Sequence, residues 1–127
     1  MATKVYVTGI GMITPVGLDT ASTWDALLRG QSGIDRITAF DAEKFDTTIA
    51  GEVKGFDPAQ YVEKRQARRL DRFAQFAVAA TQQAMAQAGL KLDSGAVDPT
   101  RVATIVGSGV GGIITSGAAA ELRKFAE

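Results

Sequence analysis

No cysteine and no histidine occur among the 127 residues of this sequence. Their absence removes disulfides, thiolate nucleophiles, the usual zinc ligands and the commonest general base. Catalysis confined to this chain would have to rest on Asp, Glu, Lys, Ser, Thr or Tyr. Net charge is missing too: 14 Lys and Arg balance 14 Asp and Glu, so no global field draws nucleic acid or an anionic membrane surface. No apolar run reaches the roughly 18 to 20 residues needed to cross a bilayer. The opening "MATKVYVTG" lacks the charged, apolar and small-residue blocks of a secretory leader, which predicts a cytoplasmic location.

What is present suits one globular domain, since 46% of the residues are hydrophobic. "VYVTGIGMI" has the apolar character of a strand buried on both faces. "LDTASTWDALLRG" predicts a helix capped by Asp19 or Thr20, with Trp24, Leu27 and Leu28 on its apolar face and Gly30 as its stop. "TTIAGEVKGF" reads as a strand within irregular chain, and Asp57 before Pro58 starts a short helix. The strongest periodicity predicts one mostly buried helix over residues 66–88, with Leu70, Phe73, Ala77, Ala80, Ala84 and Ala88 on one stripe and Gly89 ending it. A turn-rich connection then leads to a β-branched strand over residues 102–106, and "IITSGAAAELRKFAE" can start a further helix. This alternation argues for an α/β fold with at least partly parallel strands.

Two glycine turns follow the strand-like runs. Gly107, Gly109 and Gly112 have the G-x-G-x-x-G spacing of a dinucleotide fingerprint, while Gly9 and Gly11 are followed by Thr14 at the third place. A dinucleotide fold needs a helix N-terminus at the pyrophosphate and an acid about 20 residues on for the ribose. The first turn has Pro15 where its helix should pack, and the second comes too late in the sequence for that acid. Neither ends in the Lys-Ser/Thr of a phosphate-binding loop. The glycines are better read as sites of positive φ and close backbone packing. Ser108 lacks the preceding glycine of a nucleophile elbow, because Val106 stands there, and it reads as a turn serine.

Taken together in order, "VYVTGIGMITPVG", "STWDALLRGQSGI", "RRLDRFAQFAVAATQQAMAQAGL" and "VATIVGSGVGG" resemble the N-terminal part of the β-ketoacyl-acyl carrier protein synthases, most of all the type II elongating form. The resemblance implies the N-terminal part of a thiolase-like fold, with α-β-α-β-α layers, in a homodimeric enzyme. Residues 1–127 would form an incomplete N-terminal portion of the synthase's N-terminal domain, similar to about the first third of family members. Such enzymes move an acyl chain from acyl carrier protein to a cysteine and join it to a carbanion from decarboxylated malonyl-carrier, helped by two histidines. The resemblance calls for no cofactor and no metal. Because the cysteine and histidines are absent, no catalytic residue is assigned here, and the chain alone is expected to be inactive.

Two sites carry over. The residue after the G-S-G turn, Val110, corresponds to one that faces the acyl pocket; unaided, it would read as ordinary core beside a turn. In "EKRQARRLDRF", Arg65, Arg68, Arg69 and Arg72 fall on one narrow helical face, where four like charges are only partly offset by Glu63 and Asp71. Such a run usually forms a solvated face. The resemblance implies that Arg65, Arg68 and Arg69 receive the acidic carrier protein. Two alternatives stay open: a non-catalytic homologue, like the chain-length partner subunits of polyketide synthases, and a small nucleotide-binding α/β module.

Overall fold

The computed structural model describes residues 2–95 and 97–112. Helix α1 spans Thr20–Leu28. Asp19 is its N-cap, and its carboxylate accepts a hydrogen bond from the Ser22 N–H at 2.8 Å. That bond, with a second from the Ser22 side chain, holds the Asp19 carboxyl below its ordinary value. After α1, Gly30 takes the left-handed φ of 65° expected of a helix stop.

Short strands β1 (Ile34–Arg36) and β2 (Ile49–Gly51) pair antiparallel, with Asp35 opposite Ala50. The pair is tied at its rim by Lys54 donating to Asp35 at 2.8 Å and by the Glu52 carboxylate, which accepts from the Thr38 hydroxyl and the N–H groups of Thr38 and Ala39. Asp57 caps a single 3-10 turn over Pro58–Gln60, as the Asp-Pro pair predicts.

The long helix differs from its expectation. It is two helices, α2 (Lys64–Ala67) and α3 (Arg72–Ala88), separated by a turn at residues 68–71. Asp71 takes the N-cap position of α3, which its side-chain type favours over a helix interior. Gln75 consolidates the break: its Nε2 donates to Ala67 O at 2.9 Å and Leu70 O at 3.2 Å, serving carbonyls that a continuous helix would have used internally. Gly89 closes α3 with a φ of 63°.

The alanine stripe of α3 receives the N-terminal segment. A Cβ built on Gly9 would overlap Ala84 O, and one on Gly11 would overlap Ala80 O. Both glycines lack a positive φ, so what they supply is close approach of backbone to helix. Two glutamines one turn apart clamp the contact. The Ile10 N–H donates to Gln87 Oε1 at 2.6 Å and the Met12 N–H to Gln83 Oε1 at 3.0 Å, while Gln83 Nε2 donates to Leu18 O at 2.8 Å. Beyond the clamp, Thr14 and Gly17 close a tight turn around Pro15, and the Thr14 and Thr23 hydroxyls meet at 3.1 Å.

Several expectations need correction. The two β-branched runs lie outside any ladder: residues 5–7 and 102–106 pair with no strand among the described residues, and Val5 is 90% and Ile105 94% exposed. The only sheet among those residues is the antiparallel β1–β2 pair, so the α/β content is mixed helix and strand without a parallel ladder. Trp24, Leu27 and Leu28 are exposed, whereas Thr23 and Ala26 are the buried residues of α1. Likewise α3 buries Ala79 alone. Among the described residues the buried apolar side chains are Ala26, Ala42, Phe56, Ala67 and Ala79, four alanines and one aromatic ring. Apolar patterning marks which faces can be buried, and burial itself requires a partner surface that the described residues do not provide. The helix expected from "IITSGAAAELRKFAE" lies outside the described residues.

Because the Gly11 contact is backbone on backbone, the structure cannot relieve an added methyl by rotating a side chain. In the full-length protein Gly11→Ala should lower stability by about 1–3 kcal/mol. Urea unfolding followed by circular dichroism reads this directly, and an unchanged midpoint would contradict the close approach.

Candidate functional site

The first turn of α3 is the point from which the site is built. Asp71, Arg72 and Phe73 stand between two clefts, and the break before α3 is what aims them there. On one side Arg68, Arg69 and Arg72, with Pro58, Leu70 and Gln75, line a cleft of about 410 Å³. On the other, Arg72 and Phe73 meet Ser108, Val110 and Gly111 around a smaller cleft of about 210 Å³. Phe73 also borders a third cavity of about 410 Å³, walled by Met12, Ile13 and Thr14 and floored by Phe76, Ala77 and Ala80.

Val110 therefore borders a cleft, at 74% exposure, and is not ordinary core. The single arginine face is corrected by the helix break. Arg65 belongs to α2 and lines none of these clefts, Arg68 is the C-cap of α2, Arg69 sits in the turn and Arg72 opens α3. Arg65, Arg68 and Arg69 are all exposed. What the fold brings together is Arg68, Arg69 and Arg72, with Val110 across the turn from them.

The second glycine turn is also partly corrected. Added side-chain atoms at Gly107 and Gly109 would meet open space, so neither serves close packing among the described residues. The steric demand falls on Gly111, where a Cβ would sit 2.8 Å from Ser108 Oγ and 3.0 Å from Phe73 Cζ, and Gly112 has a φ of 81°. These two glycines let the turn lie against Phe73.

Among the described residues the electrostatics give no sign of a tuned acid or base. Every resolved carboxyl shift among the described residues is downward: Asp19 and Asp98 by hydrogen bonds from nearby Ser22 and Thr100, Glu52 by the Thr38 hydroxyl, and Asp35 by Lys54. Lys54 is correspondingly raised by Asp35. These are carboxylates held ionised and a cation held charged, opposite to what proton transfer near neutrality requires. Among the described residues no group of three or more Asp or Glu side chains is arranged to hold a metal ion.

The sequence reading missed Gln83 and Gln87 as clamps and the ring contacts of Arg72. Their signal was present: two glutamines at i, i+4 flank the alanine stripe, and Arg72 follows an N-cap residue within an otherwise helical run.

The family model for the β-ketoacyl synthase N-terminal domain matches residues 2–126. A 3-oxoacyl-(acyl-carrier-protein) synthase 2 of Vibrio cholerae is 46% identical over 110 residues, covering 87% of this chain and 26% of that protein. The Staphylococcus aureus protein of the same name is 39% identical over 112 residues, covering 88% of this chain and 27% of its own. The chain thus spans about a quarter of the length of these relatives. Among solved structures, the ishigamide ketosynthase/chain length factor superposes with a TM-score of 0.62 at 36% identity, over 68% of this chain and 22% of that one.

Proposed function

The chain belongs to the β-ketoacyl synthase family, within its N-terminal domain and with its thiolase-like α/β fold, and from this premise we propose that it is the N-terminal portion of a condensing enzyme that elongates acyl-acyl carrier protein in fatty acid biosynthesis. The reaction is acyl transfer followed by decarboxylative condensation. A cysteine thiolate outside these residues displaces the carrier thiolate from the acyl thioester. Malonyl-carrier then loses carbon dioxide, its α-carbon attacks the acyl-enzyme carbonyl, and the cysteine thiolate leaves. This chain supplies neither the nucleophile nor the histidines that stabilise developing charge. Its contribution is recognition.

The observation that carries this reading is the arrangement around the first turn of α3. A basic cleft bordered by Arg68 and Arg69 shares Asp71 and Arg72 with the cleft that holds Val110. An acidic carrier seated on the arginines would present its thioester arm beside the residue that limits the acyl chain. Arg65, exposed on α2, lies outside that cleft and would add charge to the approach of an acidic carrier. Arginine suits such docking because its planar fork holds carboxylate or phosphate through two bonds. The enzyme acts as a cytoplasmic homodimer in this reading. Among the described residues no helix is long and apolar enough to cross a membrane. The chain-length-partner alternative has less support, since the curated relatives carry the synthase name; a nucleotide module has none in the family match.

Reversing both Arg68→Glu and Arg69→Glu in the full-length enzyme should raise KM for acyl-carrier and spare a small acyl thioester that lacks the carrier. Each exposed contact is worth about 1 kcal/mol or less, so the double variant is the informative one. Rising salt should weaken the wild-type carrier interaction in parallel. Equal losses with both substrates would remove the docking role. For the pocket, Val110→Phe should depress turnover of long acyl donors more than short ones, by the roughly 1–3 kcal/mol of overpacking. A loss independent of acyl length, measured across a donor series, would assign Val110 to general packing instead.

A further inference from the structure

Arg72 is exposed, as a docking cation would be, yet its guanidinium is already engaged. Its Cζ lies 4.9 Å from the ring centroid of Phe56 and 4.8 Å from that of Phe76, and Nη2 donates to Val53 O at 3.5 Å. The two rings meet edge to face at 5.0 Å, and Phe56, the one large buried apolar side chain among the described residues, stacks on Tyr61 at 5.6 Å. A cation over two ring faces fixes the side chain and the helix turn that carries it.

That turn is shared. Arg72 borders the cleft of Arg68 and Arg69 and also the cleft of Val110. Its neighbour Phe73 rests its ring against Gly111, so the direction of the first turn of α3 sets the wall opposite Val110. Tilting the turn would displace the docking arginines and that wall together.

We propose that Arg72 is a positioning residue: by clamping the first turn of α3 onto Phe56 and Phe76, it couples the carrier-docking surface to the width of the acyl pocket. The proposal rests on the condensing-enzyme reading above. It assigns Arg72 a role unlike that of Arg68 and Arg69, because the group acts through Phe73 and not on the carrier.

The test uses the full-length enzyme and substrates that separate the two roles. Arg72→Met keeps an apolar stem and removes the planar cation. With carrier-free acyl thioesters it should lower kcat for a long acyl chain by roughly fivefold to tenfold, the scale of one lost cation–ring contact, while leaving a short chain nearly unchanged. Phe56→Leu should show the same acyl-length pattern, and the double variant should lose no more than the worse single, as expected of partners in one contact. If Arg72→Met fails to fold, Arg72→Gln carries the same reading, since it keeps a polar side chain and removes the cation over the rings. An effect confined to KM for carrier-bound substrate and erased by salt would make Arg72 one more docking cation. A lowered Tm with unchanged acyl-length preference would make the clamp purely structural. Either result overturns the proposal and leaves the condensing reading intact. A wild-type enzyme without condensing activity would instead sink the reading itself and the coupling with it.

Discussion

The close approach of the N-terminal segment to α3 is the constraint on which the rest of the arrangement depends. Backbone can lie against the helix only because Gly9 and Gly11 face Ala84 and Ala80 without a Cβ between them. Gln83 and Gln87 then satisfy the N–H groups of Met12 and Ile10, so the segment is held by polar bonds as well as by fit. The same contact supplies one wall of the apolar cavity above Ala77 and Ala80. Phe73 and Phe76 extend that floor toward the basic cleft and the glycine turn. Helix α3 is thus a rail: its middle receives the N-terminal segment, and its first turn sorts a charged surface from an apolar one.

The break before α3 sets the direction of this rail's first turn. A continuous helix would have placed Arg65, Arg68, Arg69 and Arg72 on one solvated face. Ending α2 at Ala67 and restarting at Arg72 redirects the arginines, leaving Arg65 apart and turning Arg72 onto Phe56 and Phe76. The cost of interrupting the helix is offset by Gln75, which serves two of the released carbonyls. Charge that would have repelled along one face is divided between an exposed basic cleft and an aromatic clamp.

Local signals were legible wherever a single residue type decides the backbone. Asp19, Asp57, Gly30 and Gly89 stand where capping chemistry places them. The body of α3 followed from its period, and the first glycine pair serves the close packing expected of it but not the positive φ. Less legible was the competition at Leu70 and Asp71, where a helical apolar period met a residue that prefers an N-cap. β1 carried no alternation over its three residues. The strand-like runs at residues 5–7 and 102–106 show a different limit: their composition is that of buried strands, but a strand needs a neighbour, and this quarter of the family length describes none for them. Val110 is singled out only through the family resemblance, because nothing in its spacing distinguishes a cleft residue from core.

A chain with no cysteine and no histidine, in which every resolved carboxyl shift among the described residues is downward, fits the proposed role of recognising an acyl carrier whose cargo is taken up elsewhere in the enzyme. That division of labour is tested most directly by treating the full-length protein with acyl-acyl carrier protein, digesting it, and locating the bound acyl group by peptide mass spectrometry. The account predicts an acyl thioester on a residue outside positions 1–127, discharged as β-ketoacyl product when malonyl-carrier is added. An acyl group on Ser108 or any other residue of this chain, or no acyl transfer at all, would contradict it.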